Sequence, residues 1–450
     1  MTAPRAITFR EALRFWVKLG FVSFGGPAGQ IAIMHRELVE RHAWISEWRF
    51  LHALNYCMVL PGPEATQLAT YIGWLLHGVR GGIAAGALFV LPSLVVLIVL
   101  SWIYVVFGQV PAVAAVLYGV KPAVVAIVLA AAWRIGTRAL KHWLLWAVAA
   151  AAFVALYAFD VPFPAVILAA AAIGFVGGRA APAIFSMEGH AAAKDTGRPA
   201  VIDDDTPTPA HARFSPGRLA AIVAAFVAIW AVALGALVAA FGWASDLAQM
   251  GWFFTKSALV TFGGAYAVLP YVLQAAVEQY HWTTATQMID GLALGESTPG
   301  PLIMIVAFVG FVGAWTHQAL GPGGLLAAGV AGATVATFFT FLPSFLFILA
   351  GGPLVERTRD DLKLTAPLTA ISAAVVGVIM NLTVFFAWHV LWPHATPQAP
   401  LSGGFDGASA LIAAVAAALL LTRKAEVIPV IGASGLAGLA LWAAGLQLAA

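Results

Sequence analysis

The chain twice carries a Pro-Gly-Pro tripeptide inside an apolar segment, at Leu60-Pro61-Gly62-Pro63-Glu64 and at Ser297-Thr298-Pro299-Gly300-Pro301. Proline has no amide hydrogen and glycine is conformationally permissive, so this tripeptide interrupts the hydrogen bonding of a helix. Within a bilayer, irregular backbone is tolerated only where it is buried in protein or lines a cavity. The two stretches therefore predict broken helices that surround an internal site.

The composition indicates a membrane environment. Of 450 residues, 62% are hydrophobic and 10% are charged, whereas soluble domains carry about 25% charged residues. The apolar runs are about 20 residues long, as membrane-spanning helices require, and lack the alternating segments of about 10 that form barrels. The predicted fold class is an all-α polytopic integral membrane protein.

The formal net charge of +3 comes from loop cations, and no basic cluster with aromatic residues predicts nucleic-acid binding. The single cysteine, Cys57, cannot form an intramolecular disulfide and is expected to be a small packing residue.

The apolar segments form two groups of six with one segment between them. They lie near residues 12–34, 50–78, 81–108, 110–133, 142–158, 162–178, 219–242, 250–277, 286–316, 323–350, 363–390, 407–422 and 427–448. Arg179 to Gly217 holds Asp203, Asp204, Asp205 and several prolines, which is typical of a solvated, disordered linker. The predicted organisation is a first repeat (1–178), a cytoplasmic linker (179–217), a connecting transmembrane helix (218–242) and a second repeat (243–450).

The two groups of six are copies of each other. At an offset of 238, ten residues are identical: Phe15, Lys18, Phe24, Gly25, Gly26, Glu40, Trp44, Pro61, Gly62 and Pro63 match Phe253, Lys256, Phe262, Gly263, Gly264, Glu278, Trp282, Pro299, Gly300 and Pro301. Leu91-Pro92-Ser93 recurs 251 residues later as Leu342-Pro343-Ser344. Because six segments plus one connecting helix separate the copies, the second begins on the opposite side of the membrane. This is the inverted-topology repeat of many secondary transporters.

The positions of Lys and Arg predict the orientation, because cytoplasmic loops collect these residues. With the N-terminus inside, the inner cations are Arg80, Arg134, Arg138, Lys141, those of the linker, Arg357, Arg359, Lys363, Arg423 and Lys424. Arg36, Arg41 and Arg49 would lie outside if the first two segments cross fully, and inside if each segment dips in and returns. We therefore predict re-entrant hairpins for the first two segments of each half, which leaves nine of 13 segments as full crossings. The alternative is 13 crossings with three exceptional arginines.

The breaks have the chemistry of an anion site. The amides that begin a helix after Pro63 or Pro301 point back towards the break, and a helix N-terminus attracts anions. Hydroxyls cluster there, and they can donate to a tetrahedral oxyanion without adding charge. They belong to Ser23, Thr66, Thr261, Ser297 and Thr298. The alternative is structural: glycine permits close packing, proline kinks the helix, and the hydroxyls satisfy freed carbonyls.

Three lysines and two carboxylates stand inside the apolar segments. Lys18 and Lys256 are repeat mates, and Lys121 precedes Pro122 in mid-segment. An intramembrane lysine is costly unless it is paired, so all three are expected at the anion site, although Lys18 and Lys256 could instead snorkel to the interface.

Glu64 and Glu296 each lie beside a Pro-Gly-Pro but not at matching positions, because Leu302 replaces the first and Met58 the second. A carboxylate in an apolar cavity can exchange protons, which suggests proton coupling. The alternatives are that Glu64 stabilises a helix dipole and that Glu296 pairs with a lysine. Asp290 lies nearer a segment end and is expected at the interface.

Other chemistry is not supported. The histidines lack metal-ligand spacing, and no Walker loop or Ser-His-Asp arrangement is apparent in the sequence. We therefore expect no cofactor, no metal site, no catalytic residue and no enzymatic activity.

The stretches Phe24–Gln30, Leu60–Leu68, Tyr71–Trp74, Thr261–Gly264 and Ser297–Pro301 resemble the chromate ion transporter family, in its long two-domain form. The resemblance implies a multi-pass protein of the bacterial inner membrane that exports chromate, with sulfate as a related anion, driven by the proton gradient or the membrane potential. Ala265 replaces Pro27 and Leu302 replaces Glu64 in the second copy, which favours one site shared by both halves.

The resulting hypothesis is a secondary active transporter that binds a divalent tetrahedral oxyanion near the midplane. The expected binding residues are Lys18, Ser23, Gly25, Gly26, Pro27, Gln30, Pro61, Gly62, Pro63, Thr66, Lys121, Lys256, Thr261, Gly263, Gly264, Ser297, Thr298, Pro299, Gly300 and Pro301, with Glu64 and Glu296 coupling protons. Sulfate transport, a passive anion channel and a membrane-embedded lipid enzyme are the rival functions. The expected partners are the anion and the lipid bilayer, and a homodimer is left open.

Overall fold

The computed structural model describes residues 7–185, 200–204, 206–207, 209–262, 264–357, 365–396, 398–422 and 424–446. The described residues form 17 α-helices. They are α1 (Phe9–Val22), α2 (Gly26–His35), α3 (Glu47–Val59), α4 (Glu64–Phe107), α5 (Pro111–Ala139), α6 (Trp143–Phe159), α7 (Phe163–Ala180), α8 (Pro182–Phe185), α9 (Pro216–Phe241), α10 (Asp246–Leu259), α11 (Ala265–Leu273), α12 (Ala285–Ser297), α13 (Ile305–Thr316), α14 (Leu325–Arg357), α15 (Thr365–Leu391), α16 (Gly407–Leu421) and α17 (Val427–Ala443). The predicted all-α fold class is confirmed.

Six of the described helices are long and apolar enough to cross a bilayer, namely α4, α5, α7, α9, α14 and α15. The helices beside the predicted breaks are much shorter, with 14 residues in α1, 10 in α2 and 13 in α3. At a rise of about 1.5 Å per residue, such a helix covers about half to two thirds of a hydrocarbon core about 30 Å thick. The broken segments are therefore built from half-length helices.

Helix α4 reverses direction at His77 and Gly78, where the backbone leaves the helical conformation. Residues 64–76 and 79–107 pack antiparallel, because Gly73 touches Gly81 and the Thr70 carbonyl touches Gly82. The small glycines allow this approach, since a β-carbon on Gly81 would stand 2.2 Å from the Gly73 carbonyl oxygen. Residues 64–76 of α4 therefore end at the same end of the bundle at which residues 79–107 begin.

Helix α3 and residues 64–76 form a hairpin beside α14. Arg49, near the start of α3, bonds Glu356 near the end of α14, and the Tyr56 hydroxyl donates to the Phe347 carbonyl at 3.1 Å. Gly62 at the tip lies against Ser344, and the return leg brings the Trp74 ring to Gly352. Both ends of this hairpin therefore lie at one end of the bundle, which we call the His77 end.

Helices α1 and α2 form a second hairpin from the His77 end. The Phe9 ring packs edge-on against His77 with 5.5 Å between ring centroids, and Gly20 touches Leu88 halfway along α4. After the break, α2 returns until His35 Nε2 lies 2.6 Å from a carboxylate oxygen of Glu47, at the start of α3. The first two predicted segments are thus two hairpins that share one end.

The corresponding hairpins of the second repeat enter from the other side, which we call the Phe107 end. Asp246 at the start of α10 accepts a bond from Trp282 before α12 and lies 3.0 Å from His317 after α13. Along α4, Gly300 packs beside Ser93, whereas Asp290 accepts a bond from Tyr104 near the Phe107 end. Hairpins α10/α11 and α12/α13 therefore run in the opposite direction to those of the first repeat, as an inverted-topology repeat requires.

Apolar packing holds the hairpins inside the bundle. Phe308 of α13 is fully buried, and its ring lies 5.2 Å from the Tyr104 ring of α4. A β-carbon on Gly310 would stand 2.3 Å from the Gly332 carbonyl oxygen, so α13 and α14 approach as closely as their backbones allow. Most residues of α9 are exposed, and Leu234 is its one buried residue. Cys57 is buried, as expected for a packing residue.

The described part of the linker differs from the predicted solvated segment. Ile202 is buried, and its amide and carbonyl bond the backbone of Trp44 and Ser46. The Ser46 hydroxyl also donates to the Asp204 carboxylate. The aspartate run indicated a solvated linker, but Asp204 accepts a bond from the N-cap residue of α3, and the Asp203 carboxylate accepts bonds from linker amides. Asp205 and residues 186–199 lie outside the described residues.

Arg49 joins the linker to both repeats. Its side chain is 2% exposed, and its guanidinium bonds Glu356 at 2.7 Å, the Thr206 carbonyl at 2.8 Å and the Asp203 carbonyl at 3.3 Å. The Tyr71 hydroxyl donates to the same Glu356 carboxylate at 2.5 Å. A buried arginine needs such a set of partners. The His77 end is therefore crosslinked by one cluster that includes both repeats.

Candidate functional site

The four breaks meet in two crossed pairs at the centre of the bundle, a region we call the junction. The Gly62 amide donates to the Thr261 carbonyl at 2.7 Å, and the Gly300 amide donates to the Ser23 carbonyl at 2.8 Å. Each bond joins the Pro-Gly-Pro of one repeat to the glycine break of the other. Backbone groups freed by the breaks thus satisfy each other across the repeat boundary, as buried amides and carbonyls must.

Glycine is required at both Pro-Gly-Pro tips. Gly62 has φ = 124° and Gly300 has φ = 104°, in the region that other residues rarely adopt. Pro61 and Pro63 flank the first, as Pro299 and Pro301 flank the second. Pro63 is the N-cap of α4, so the first-turn amides of that helix face the break. After Pro301 a 3-10 turn, Leu302–Met304, intervenes before α13 begins. The predicted half-helix N-termini are present in the described structure.

The glycine breaks differ in exposure. Gly25 has φ = 90° and is exposed, and a β-carbon on Gly26 would meet nothing within 4 Å. In the second repeat, Gly264 and Ala265 are buried. Gly263, predicted as a binding residue, lies outside the described residues. Pro27 stands in the first turn of α2 and is partly exposed. The junction is therefore open beside the first repeat's break and closed beside Gly264.

Most of the predicted hydroxyl donors are already engaged with the backbone. Ser23 donates to the Leu19 carbonyl at 2.6 Å and Thr261 to the Ser257 carbonyl at 2.7 Å. Ser297 and Thr298 donate at 2.9 Å to the carbonyls of Leu294 and Gly295. Each of these four hydroxyls donates to a backbone carbonyl three or four residues earlier, so their role as donors to an anion stays a prediction that would require exchange of these bonds.

Three buried hydroxyls at the junction have no hydrogen-bond partner among the described residues. Thr66 belongs to the predicted set, whereas Ser93 and Ser344 do not. Ser93 packs against Gly300, and Ser344 packs against Gly62. The signal that could have identified them is the recurrence of Leu-Pro-Ser in both repeats. Recurrence alone could not show that these positions face the breaks.

Two glutamine side chains hold the irregular backbone. Gln30 donates to the Gly300 carbonyl, with the Ser23 carbonyl 3.5 Å from the same nitrogen, and Gln67 donates to the Pro61 carbonyl at 2.7 Å. Gln30 was expected to bind the anion; its amide nitrogen bonds the backbone of the breaks, and its amide oxygen has no partner among the described residues. The first repeat alone supplies these amides, because Val268 and Ile305 stand at the matching positions.

The two predicted coupling carboxylates have different surroundings. Glu64 is partly exposed, and its oxygens lie 3.7 and 3.8 Å from the point where a β-carbon on Gly264 would stand. Glu296 is 7% exposed and accepts a hydrogen bond from the Tyr266 hydroxyl. Glu296 therefore pairs with a tyrosine and not with the lysine considered from the sequence. Asp290, expected at the interface, is buried and bonded to Tyr104.

The three lysines are not part of the junction. Lys18 is exposed beside Val17 and Phe21, on an outward face of α1. Lys256 lies 5.7 Å from the centroid of the Trp252 ring. Lys121 lines a cavity of about 40 Å³ with Tyr118 and Asp406. Within the described ranges, no hydrogen bond or ion pair connects a lysine to a break. The sequence placed them near the site by chain distance, and helix rotation directs them elsewhere.

The fold and the junction define a class of protein: a polytopic α-helical membrane protein in which the broken helices of two inverted repeats meet at the centre. The chain belongs to the chromate transporter family, whose model matches residues 10–175 and 248–439.

Similar proteins cover almost the whole chain. A chromate transport protein of Pseudomonas aeruginosa is 32% identical over 445 residues, 97% of this chain and 93% of the relative. A chromate transport protein of Cupriavidus metallidurans is 29% identical over 426 residues, 94% of this chain and 90% of the relative. A probable chromate transport protein of Synechococcus elongatus is 28% identical over 380 residues, 84% of each chain. No solved structure matches the chain.

Proposed function

We propose that this protein exports chromate from the bacterial cytoplasm across the inner membrane, confers chromate resistance, and couples export to the proton gradient or the membrane potential. The family gives the substrate. The observation that supports this proposal is the junction, where crossed backbone hydrogen bonds bring together the four helix breaks of two inverted repeats. The unpartnered hydroxyls and first-turn amides at this depth suit a dianion that must bind and then be released on the other side.

The proposed orientation puts the His77 end in the cytoplasm. Arg36 and Arg41 lie in the turn between α2 and α3, at the same end as Arg80, which begins the second part of α4. Arg138 lies in the last turn of α5, which departs from the Phe107 end. This distribution of cations supports an inner His77 end. Arg359, Lys363 and Arg423 lie outside the described residues.

Glu64 is the proposed proton carrier. It is partly exposed and lies against Gly264, and through its exposed side the carboxylate can exchange protons with water. Glu296 is enclosed with Tyr266 and is proposed to respond to the state of the site. Protonation of Glu64 would remove a negative charge next to a dianion, so that anion binding depends on pH.

Chromate flux in proteoliposomes tests the proposal. Purified protein should accumulate chromate in the vesicles when a pH gradient is imposed, and accumulation should collapse when a proton ionophore is added. Sulfate added in excess measures competition by a second tetrahedral dianion. Chromate movement that only equilibrates, with no response to pH gradient or voltage, would identify a passive channel and overturn active export.

A further inference from the structure

Ser93 and Ser344 occupy the same place in the two repeats. Ser93 follows Pro92 in α4, Ser344 follows Pro343 in α14, and both recur in the Leu-Pro-Ser copies. Both side chains are buried, at 0% and 2% exposure. These helices are the long spans against which the hairpins pack. The two serines are therefore fixed in the scaffold that surrounds the junction.

Each serine contacts the tip of the opposite repeat. A β-carbon on Gly300 would stand 3.1 Å from Ser93 Oγ, and one on Gly62 would stand 2.4 Å from Ser344 Oγ. The first repeat's serine thus touches the second repeat's Pro-Gly-Pro, and the reverse. The serine contacts thus join opposite repeats in the same way as the backbone hydrogen bonds of Gly62 and Gly300. Ser344 Oγ therefore lies beside the break that precedes α4, and Ser93 Oγ lies beside the break that precedes α13.

The hydroxyls of both serines lack partners, as do those of Ser101 and Thr337, but of these four only Ser93 and Ser344 lie against a Pro-Gly-Pro tip. Thr70 in α4 donates to the Thr66 carbonyl at 2.8 Å, and Thr340 in α14 donates to the Ala336 carbonyl at 2.7 Å. Ser93 Oγ and Ser344 Oγ bond no described residue. A buried hydroxyl without a partner is costly. A ligand with hydrogen-bond acceptors that enters the junction would give these hydroxyls partners.

We propose that Ser93 and Ser344 donate hydrogen bonds to the transported oxyanion, one from each repeat. A tetrahedral dianion carries four acceptor oxygens, so it can accept from both hydroxyls and from first-turn amides at the same time. Ser93 and Ser344 replace Lys18, Lys121 and Lys256 as the specific donors. This inference rests on the proposed function, because it assigns residues to the same site.

The test is chromate transport by Ser93→Ala and Ser344→Ala in proteoliposomes. We expect each change to raise KM for chromate about tenfold, which corresponds to about 1.4 kcal/mol, and to leave the maximal rate within about twofold. Matched controls are Ser101→Ala in α4 and Thr337→Val in α14. Both control hydroxyls are buried without partners among the described residues, about two helical turns from the serines. The controls should keep the KM of the unchanged protein.

The outcomes separate the two proposals. If the unchanged protein moves no chromate, the proposed function fails. If it moves chromate and both serine variants keep its KM, the serine assignment is overturned. Should an alanine variant fail to insert, Ser93→Cys and Ser344→Cys keep a similar volume with a much weaker donor. Raised KM in those variants supports the assignment, and unchanged KM contradicts it.

Discussion

The two repeats build the junction from the same backbone but from different side chains. Gly62 and Gly300 have equivalent conformations and make equivalent bonds to the opposite break. The first repeat adds an exposed glycine break, Gln30, Gln67 and a partly exposed Glu64, which lies against Gly264 of the second repeat. The second adds an enclosed Glu296, bonded to Tyr266. The two tips thus share one backbone geometry, whereas the side chains that the two repeats contribute to the junction differ.

The largest effects on transport should come from the Pro-Gly-Pro tips, which both repeats share. Gly62→Ala and Gly300→Ala should each reduce chromate transport about 10- to 100-fold, because alanine is strained at these φ angles and its β-carbon meets Ser344 or Ser93. Initial rates at saturating and at low chromate, normalised to inserted protein, measure the loss. Gly235→Ala in α9 is the control, since the backbone there is helical and its β-carbon would enter open space. A large effect of only one tip variant would break the equivalence of the repeats.

The next largest effect on transport should distinguish the two carboxylates, Glu64 and Glu296. Glu64→Gln should remove the stimulation of chromate transport by an imposed pH gradient, because the amide cannot carry a proton. Glu296→Gln should reduce it only partly, since the amide oxygen can still accept the Tyr266 bond. Flux with and without the gradient gives the ratio for each variant. Equal ratios would contradict the separate roles given to Glu64 and Glu296.

The smallest effects are expected at the lysines. Lys18→Ala and Lys256→Ala should change KM for chromate by less than about twofold, because a kilocalorie-scale loss needs a direct contact and neither side chain reaches the junction. Transport kinetics on matched amounts of inserted protein are the measurement. A tenfold rise in KM for either variant would show that the lysine contributes to anion binding, and the comparison of what the two repeats add to the junction would then have to include it.

Much of the fold could be predicted from the sequence because its signals are local. Apolar runs determine which segments lie in a bilayer, and Pro-Gly-Pro or Gly-Gly determines where a helix must break. The hairpins at Gly25-Gly26 and at Pro61–Pro63 agree with the positions of Arg36, Arg41 and Arg49. The part of the linker at Ile202 was missed, because its partners Trp44 and Ser46 are distant in sequence.

The sequence by itself determined the membrane class, the inverted repeat, the four breaks and the family. The tertiary structure alone decided that the breaks cross in pairs, that Ser93 and Ser344 face the tips while Lys18 faces outward, and that Arg49 joins the linker to Glu356. The physical reason is that hydrophobicity and backbone freedom belong to short stretches of chain. The partner of a hydroxyl or a charge depends on helix rotation and packing, which residues hundreds of positions apart determine together.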